Sequence, residues 1–195
     1  MSSFEFLSVL ISVVVGLGMA NLLTGIGRLL HRRESVQVSI PFVAWTAFVF
    51  FYMIIYWWTV VFGWQDWPDW NLLYFVFVLT YGIILYLLSV ILFPTDMPGG
   101  WDPHSSLMSM RHWFFGTFLA LILIEVTDSY LKGHLSEFST PYFLLLTIWL
   151  ISGIASWFSE KKRIHTVASL MVLVSQVVWV SYQLSDLEWS LARLH

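Results

Sequence analysis

Six stretches of this chain are too long and too apolar to be at home anywhere but in a lipid bilayer. They cover residues 4–30, 40–64, 72–93, 113–131, 142–158 and 164–184. A helix rises about 1.5 Å per residue, so about 20 apolar residues cross the roughly 30 Å hydrocarbon core. The separators carry charge and turn residues: Arg32-Arg33-Glu34, Asp66-Trp67-Pro68-Asp69, the segment 94–111, the segment 132–141, and Glu160-Lys161-Lys162-Arg163. A membrane β-barrel needs alternating segments of about 9–11 residues, whereas these runs are continuously apolar. The expected fold is all-α: a polytopic membrane helix bundle with six transmembrane helices, one domain over residues 1–195. Only 11% of the residues are charged, against roughly 25% in a soluble domain, which leaves too little polar surface to cover a water-exposed globule.

Lysine and arginine orient the spans, because they are retained on the cytoplasmic side. With the N-terminus outside, the cytoplasmic side carries Arg28, Arg32, Arg33, Arg111, Lys161, Lys162 and Arg163. The outer side then carries only Lys132 and Arg193, so an N-out/C-out topology is predicted. The first basic residue is Arg28, and the apolar stretch before it exceeds the about 7–15 residues of a signal-peptide core. The first span is therefore expected to be retained. Segment 94–111 opens with turn residues and leads into an amphipathic run expected to lie along the interface. The tail 185–195 has the pattern of a short interfacial helix.

The polar residues inside the spans are the informative ones. In the first span Ser8, Ser12, Gly16, Ala20, Thr24 and Arg28 recur every four residues, with Gly18, Asn21, Gly25 and Gly27 widening that surface. Such a row lets another backbone approach closely. Ser8, Ser12, Gly16, Ala20 and Gly25 are thus expected to form a helix-contact face, within the protomer or between protomers. Asn21 needs a hydrogen-bonding partner helix, and Arg28 is placed to reach the headgroups or to pair inside the bundle.

The fourth span contains Glu125 and Asp128, spaced i, i+3 on one face. Glu125 lies about 9 Å of helix below Leu131, deep enough that a lipid-facing anion would be costly. Acids at such depth face a cavity or a partner and commonly mark ion or proton routes. Glu5, at a similar level in the first span, is a candidate to share that site. Gln176, near the middle of the sixth span, is expected to find an interhelical partner. The aromatic stripes Trp45, Tyr52, Tyr56 and Tyr74, Tyr81, Tyr86 read as packing or interfacial belt.

Several chemistries are excluded or left without support. The chain has no cysteine, which removes disulfides, iron–sulfur clusters and thiolate nucleophiles. The histidines show no metal-ligand spacing, and there is no phosphate loop, nucleophile elbow, potassium filter or arginine-repeat voltage sensor. No cofactor is expected, and a net charge of −3 offers no footprint for nucleic acid.

The cadence from Glu5-Phe6-Leu7-Ser8 through Gly16-Leu17-Gly18 to Gly25-Ile26-Gly27-Arg28-Leu29 resembles the first spans of uncharacterised small multi-pass proteins of bacterial inner membranes. The resemblance is confined to the first span and implies a location without an activity.

These features predict a non-enzymatic, homo-oligomeric ion channel or transporter with an intramembrane carboxylate, surrounded by lipid. Glu125, Asp128 and Glu5 would bind or relay a cation or proton, with Asn21, Thr24, Arg28 and Gln176 along the pathway. The alternative is an accessory or scaffolding subunit bound to unrelated membrane subunits.

Overall fold

The computed structural model describes residues 3–32, 36, 37, 39–65, 67, 70–94, 96, 97, 101–132 and 140–192, without the side chains of 3, 59–62 and 185–192. Arg33, Glu34, Asp66, Pro68, Asp69, His134, Arg193 and His195 lie outside the described residues. Seven helices follow in order: α1 Ser3–His31, α2 Ile40–Trp64, α3 Leu72–Leu92, α4 Pro103–Ser109, α5 Arg111–Leu131, α6 Thr140–Phe158 and α7 Lys162–Ala192. All of these except α4 are long and apolar enough to cross a membrane. Their outer surfaces are as apolar as lipid requires: Trp113 is 72% exposed and Phe158 is 80% exposed. Exposed apolar surface on that scale is foreign to soluble monomers. The chain is a multi-pass membrane protein.

Two details emerge at the helix ends. The amphipathic run around His104–Trp113 divides at Met110 between the short helix α4 and the start of the membrane helix α5. The tail continues α7 as far as Ala192 instead of forming a separate interfacial helix.

Sequence explains where α3 and α4 begin. Asn71 caps α3 by accepting the Tyr74 N–H at 3.1 Å. Asp102 caps α4 by accepting the Ser105 N–H at 2.7 Å, with Pro103 set in the first turn. Both are short polar side chains satisfying an amide that the helix leaves unpaired. The Ser105 backbone N–H holds the Asp102 carboxyl below the usual carboxylate range. A folded-state pKa below the unfolded one adds stability above the unfolded value, and that stability is lost as acid protonates the group. Asp102→Ala is expected to cost α4 about 1 kcal/mol, read as faster amide exchange over Pro103–Ser109. The wild-type helix should show the same loosening only in acid.

The spanning helices close into a ring. Helix α1 packs on α3, α3 on α5, α5 on α6, α6 on α7, α7 on α2, and α2 again on α1. Helices α2 and α5 face each other across the middle without close backbone approach. Aromatic side chains fill the gap: Trp45 and Phe48 from α2, Phe114, Phe115 and Phe118 from α5, and Trp149 from α6. Ring centroids lie 4.9 Å apart for Trp45 and Phe118, and 5.1 Å apart for Phe48 and Trp149. This layer packs the space between α2 and α5 with rings.

Inside the protomer, α1 buries large side chains more than its row of small ones. Leu7, Ile11, Val15 and Leu22 are its buried stripe, with Gly18 and Gly25 among them. A Cβ on Gly18 would lie 2.6 Å from the Met53 methyl, and one on Gly25 would fall on the Phe93 ring. Ser12, Gly16, Ala20, Thr24 and Arg28 are instead exposed, and Ser8 is half-buried. The large side chains win the protomer contact because burying them yields more dispersion contact than a ridge of hydrogens and hydroxyls. Of the expected contact face, Gly25 packs inside the protomer and Ser12 accepts the Trp57 indole N–H from α2 at 2.9 Å, while Gly16 and Ala20 stay exposed.

A carboxyl caged by tyrosines as the candidate functional site

Glu125 sits on α5 where α2, α3 and α6 converge on it. Its Oε2 accepts from the Tyr52 hydroxyl at 2.7 Å and from the Tyr81 hydroxyl. The two phenol oxygens are also hydrogen-bonded to each other. Tyr142 makes a longer contact of 3.5 Å to Oε1, and its hydroxyl is paired with Ser129 at 2.7 Å. Tyr52, Tyr81 and Tyr142 are themselves buried, so the cage draws one phenol from each of three helices.

Tyr52, Tyr81 and Glu125 Oε2 form a triangle of three contacts. The two phenols hold two hydrogens, so with both donating to Oε2 none is left for the phenol–phenol contact. A protonated carboxyl would supply a third, donated to one phenol and freeing that phenol to donate to the other.

One turn along α5, Asp128 has a different environment. The Trp64 indole donates to Oδ1 at 2.8 Å, and the Lys132 ammonium pairs with Oδ2 at 2.6 Å. Lys132 also lies 5.5 Å from the centre of the Trp64 ring. Gly63 makes room for it, since a Cβ there would stand 2.7 Å from Nζ. The Asp128 side chain is only 14% exposed and that of Lys132 9%, so the pair is largely withdrawn from solvent. Adjacent acids thus differ: one is caged by hydroxyls, and the other is neutralised by a lysine.

The remaining candidates disperse. Glu5 is exposed on α1 and contributes nothing to the cage, whose groups come from α2, α3, α5 and α6. Docking of α1 through Leu7 and Ile11 turns Glu5 to the outside. Asn21 donates to the carbonyls of Ser89 at 2.9 Å and Phe93 at 3.2 Å, clamping α1 to the end of α3. Thr24 and Arg28 lie on the exposed side of the same helix, so these three do not line a common path. Gln176 is 2% exposed, and neither amide atom has a hydrogen-bond partner among the described residues. The expected interhelical partner is not there.

Sequence reading missed the tyrosines as ligands. Tyr52 and Tyr81 stood in stripes read as packing, and so they are, with Tyr56 and Tyr81 ring centroids 4.5 Å apart. The available signal was the hydroxyl itself: a mid-span tyrosine, unlike phenylalanine, needs a polar partner. Among the described residues no group of three or more His, Asp or Glu is placed to hold a metal ion. No protein-family model, curated protein or solved structure matches the chain.

Proposed function

We propose that the protein is a homo-oligomeric ion channel or transporter in which Glu125 takes up and releases a proton. One observation carries this reading: an intramembrane carboxyl is hydrogen-bonded to phenols delivered by separate helices. Loss of the proton removes one of the three hydrogens that close the Tyr52–Tyr81–Glu125 triangle. The phenol–phenol contact must then open so that both hydroxyls turn to the anion. Proton release is thereby coupled to the relative position of α2, α3 and α5. Glu125 retains some accessible surface, as exchange requires. The Asp128–Lys132 pair one turn away supplies polar groups on the route out.

The aromatic layer between α2 and α5 favours conduction between protomers or beside α5 over a path down the ring axis. The seven-to-two distribution of Lys and Arg supports a cytoplasmic location for the end bearing Arg28 and Arg111, with both termini outside. Reconstituted into liposomes, the protein is expected to pass protons down a potential gradient, read by an internal pH dye, and Glu125→Gln to stop it. Absence of flux in the parent, or undiminished flux in the variant, sinks this reading.

The exposed row Ser12, Gly16, Ala20 and Thr24 on α1 favours a second reading, an accessory subunit of a larger membrane complex. Purification in mild detergent separates the two. Stoichiometric unrelated partners favour the subunit, and a single-species oligomer favours transport.

A further inference from the structure

Among the described residues, six of the ten buried side-chain nitrogen and oxygen atoms without a hydrogen-bond partner belong to residues at the basic end of the bundle: Ser39 Oγ, Trp45 Nε1, His104 Nδ1, Arg111 Nε, Ser156 Oγ and His165 Nδ1. Folded proteins leave few such atoms, and a group of them marks a place where a water, ion or ligand belongs. The chemistry of the group is uneven. Indole and guanidinium nitrogens donate and never accept, and serine hydroxyls and imidazoles are able to donate. The matching occupant is rich in acceptor oxygens.

His165 anchors the inner wall. It is 0% exposed, its Nε2 donates to the Ser159 carbonyl at 2.8 Å, and its Nδ1 has no partner. Its ring lies 5.5 Å from that of Phe115, and Phe115 lies 5.5 Å from Trp45 on α2. Arg111 lies one turn before Phe115 on α5 and pairs with Glu160, next to the Ser159 carbonyl that holds His165, so α5 and α7 bring these two basic side chains to the same turn. His104 lies on α4, which packs against α5. Arg111 sends one guanidinium nitrogen outward to Glu160, 2.7 Å away on a side chain 75% exposed. Its Nε stays buried and unmatched.

Two further features favour negative charge here. Helices α5 and α7 both begin at this end, so the positive ends of two helix dipoles point into it. Met110, at the N-cap of α5, offers no side-chain cap to the free amides. Among the described residues, Asp102 is engaged as the cap of α4 and Glu160 sits outside on Arg111.

We propose that the space between α4, the start of α5 and the start of α7 binds a phosphate group, held by Arg111 and His104 and backed by His165. Guanidinium presents a fork matched to phosphate oxygens, and the His104 imidazole adds a further donor. The Nε2 hydrogen of His165 is committed to the Ser159 carbonyl, so in the neutral ring its Nδ1 is an acceptor for a hydrogen-bearing oxygen. An anionic phospholipid headgroup and a soluble phosphate compound share this chemistry, and basic clefts between spanning helices hold such headgroups. The site lies at the opposite end of α5 from Glu125 and does not depend on the proton reading.

The test uses the full chain in detergent, with thermal unfolding as the readout of ligand binding. Inorganic phosphate forms one arm; short-chain phosphatidylglycerol, compared with phosphatidylcholine of equal chain length, forms the other. Stabilisation is expected in at least one arm, with half-saturation weakened about tenfold or more in Arg111→Gln and in His104→Gln. A response confined to the lipid arm assigns the site to a headgroup, and one confined to the phosphate arm assigns it to a soluble compound. His104→Gln alters the partly exposed α4 and keeps the test valid where Arg111→Gln fails to fold. No stabilisation beyond phosphatidylcholine, or unchanged half-saturation in a folded variant, overturns the proposal.

Discussion

Glu125→Gln is expected to preserve the fold while abolishing proton flux, whereas Glu125→Ala is expected to damage both. The amide of glutamine fills the same volume and keeps a carbonyl acceptor for Tyr52 and Tyr81, which now donate to Glu125 Oε2. Its stability cost should stay below about 1.5 kcal/mol, the range of volume-conserving replacements. Alanine removes the acceptor and leaves a cavity. Tyr52 and Tyr81 can still bond to each other, so one phenol hydroxyl is left without an acceptor. An unmatched buried donor costs about 1–3 kcal/mol, and the cavity adds to this, for a total of about 2–4 kcal/mol. Unfolding by SDS titration reads stability, and the liposome assay reads flux. The carboxyl proton has its own signature: a protonated C=O stretch in the infrared that shifts in D2O and is absent from Glu125→Gln. A spectrum showing only carboxylate at neutral pH would contradict the three-hydrogen triangle.

Gly25→Val and Gly16→Val should have opposite consequences although both glycines lie in one helix. A Cβ on Gly25 would fall on the ring of Phe93, which is 1% exposed and packed edge-on against Phe42 at 5.1 Å. Phe93 has nowhere to swing, so α1 and α3 must separate. The Asn21 bonds to the Ser89 and Phe93 carbonyls lie one turn away and go with them. Overpacking with lost hydrogen bonds is expected to cost about 3 kcal/mol or more. A Cβ on Gly16 meets nothing within 4 Å, so the protomer should change by no more than about 0.5 kcal/mol. The same substitution examines the homo-oligomer. Dissociation in Gly16→Val with the protomer intact places the row between subunits. An unchanged oligomer, by cross-linking or native mass spectrometry, removes it from that interface.

The first span shows why a regular pattern was legible while its use was not. Its four-residue spacing of small side chains is plain in the sequence, but spacing identifies a face without naming what lies against it. Leu7, Ile11, Val15 and Leu22 compete for the same helix, and their greater contact area turned the small row away from the protomer interior. Glu5 was lost to the cage by the same rotation. Asn21 behaved as its chemistry demands, and the sequence was silent only about which carbonyls it would meet. Gln176 has no partner for its amide among the described residues.

Six apolar runs, with most charges at or between their ends, determined by themselves that this chain is a six-helix membrane bundle. The bilayer enforces that result locally, since every backbone amide must bond within its own helix and length alone decides what spans. The depth of Glu125 was equally a matter of counting along one helix. Its cage was not. Tyr52, Tyr81 and Tyr142 are separated from Glu125 in sequence by 73, 44 and 17 residues. The packing of α2, α3 and α6 around α5 decided that they meet. That packing depends on the shape of faces and on which side chains fill the space between α2 and α5, quantities carried jointly by several helices and by no single stretch of chain.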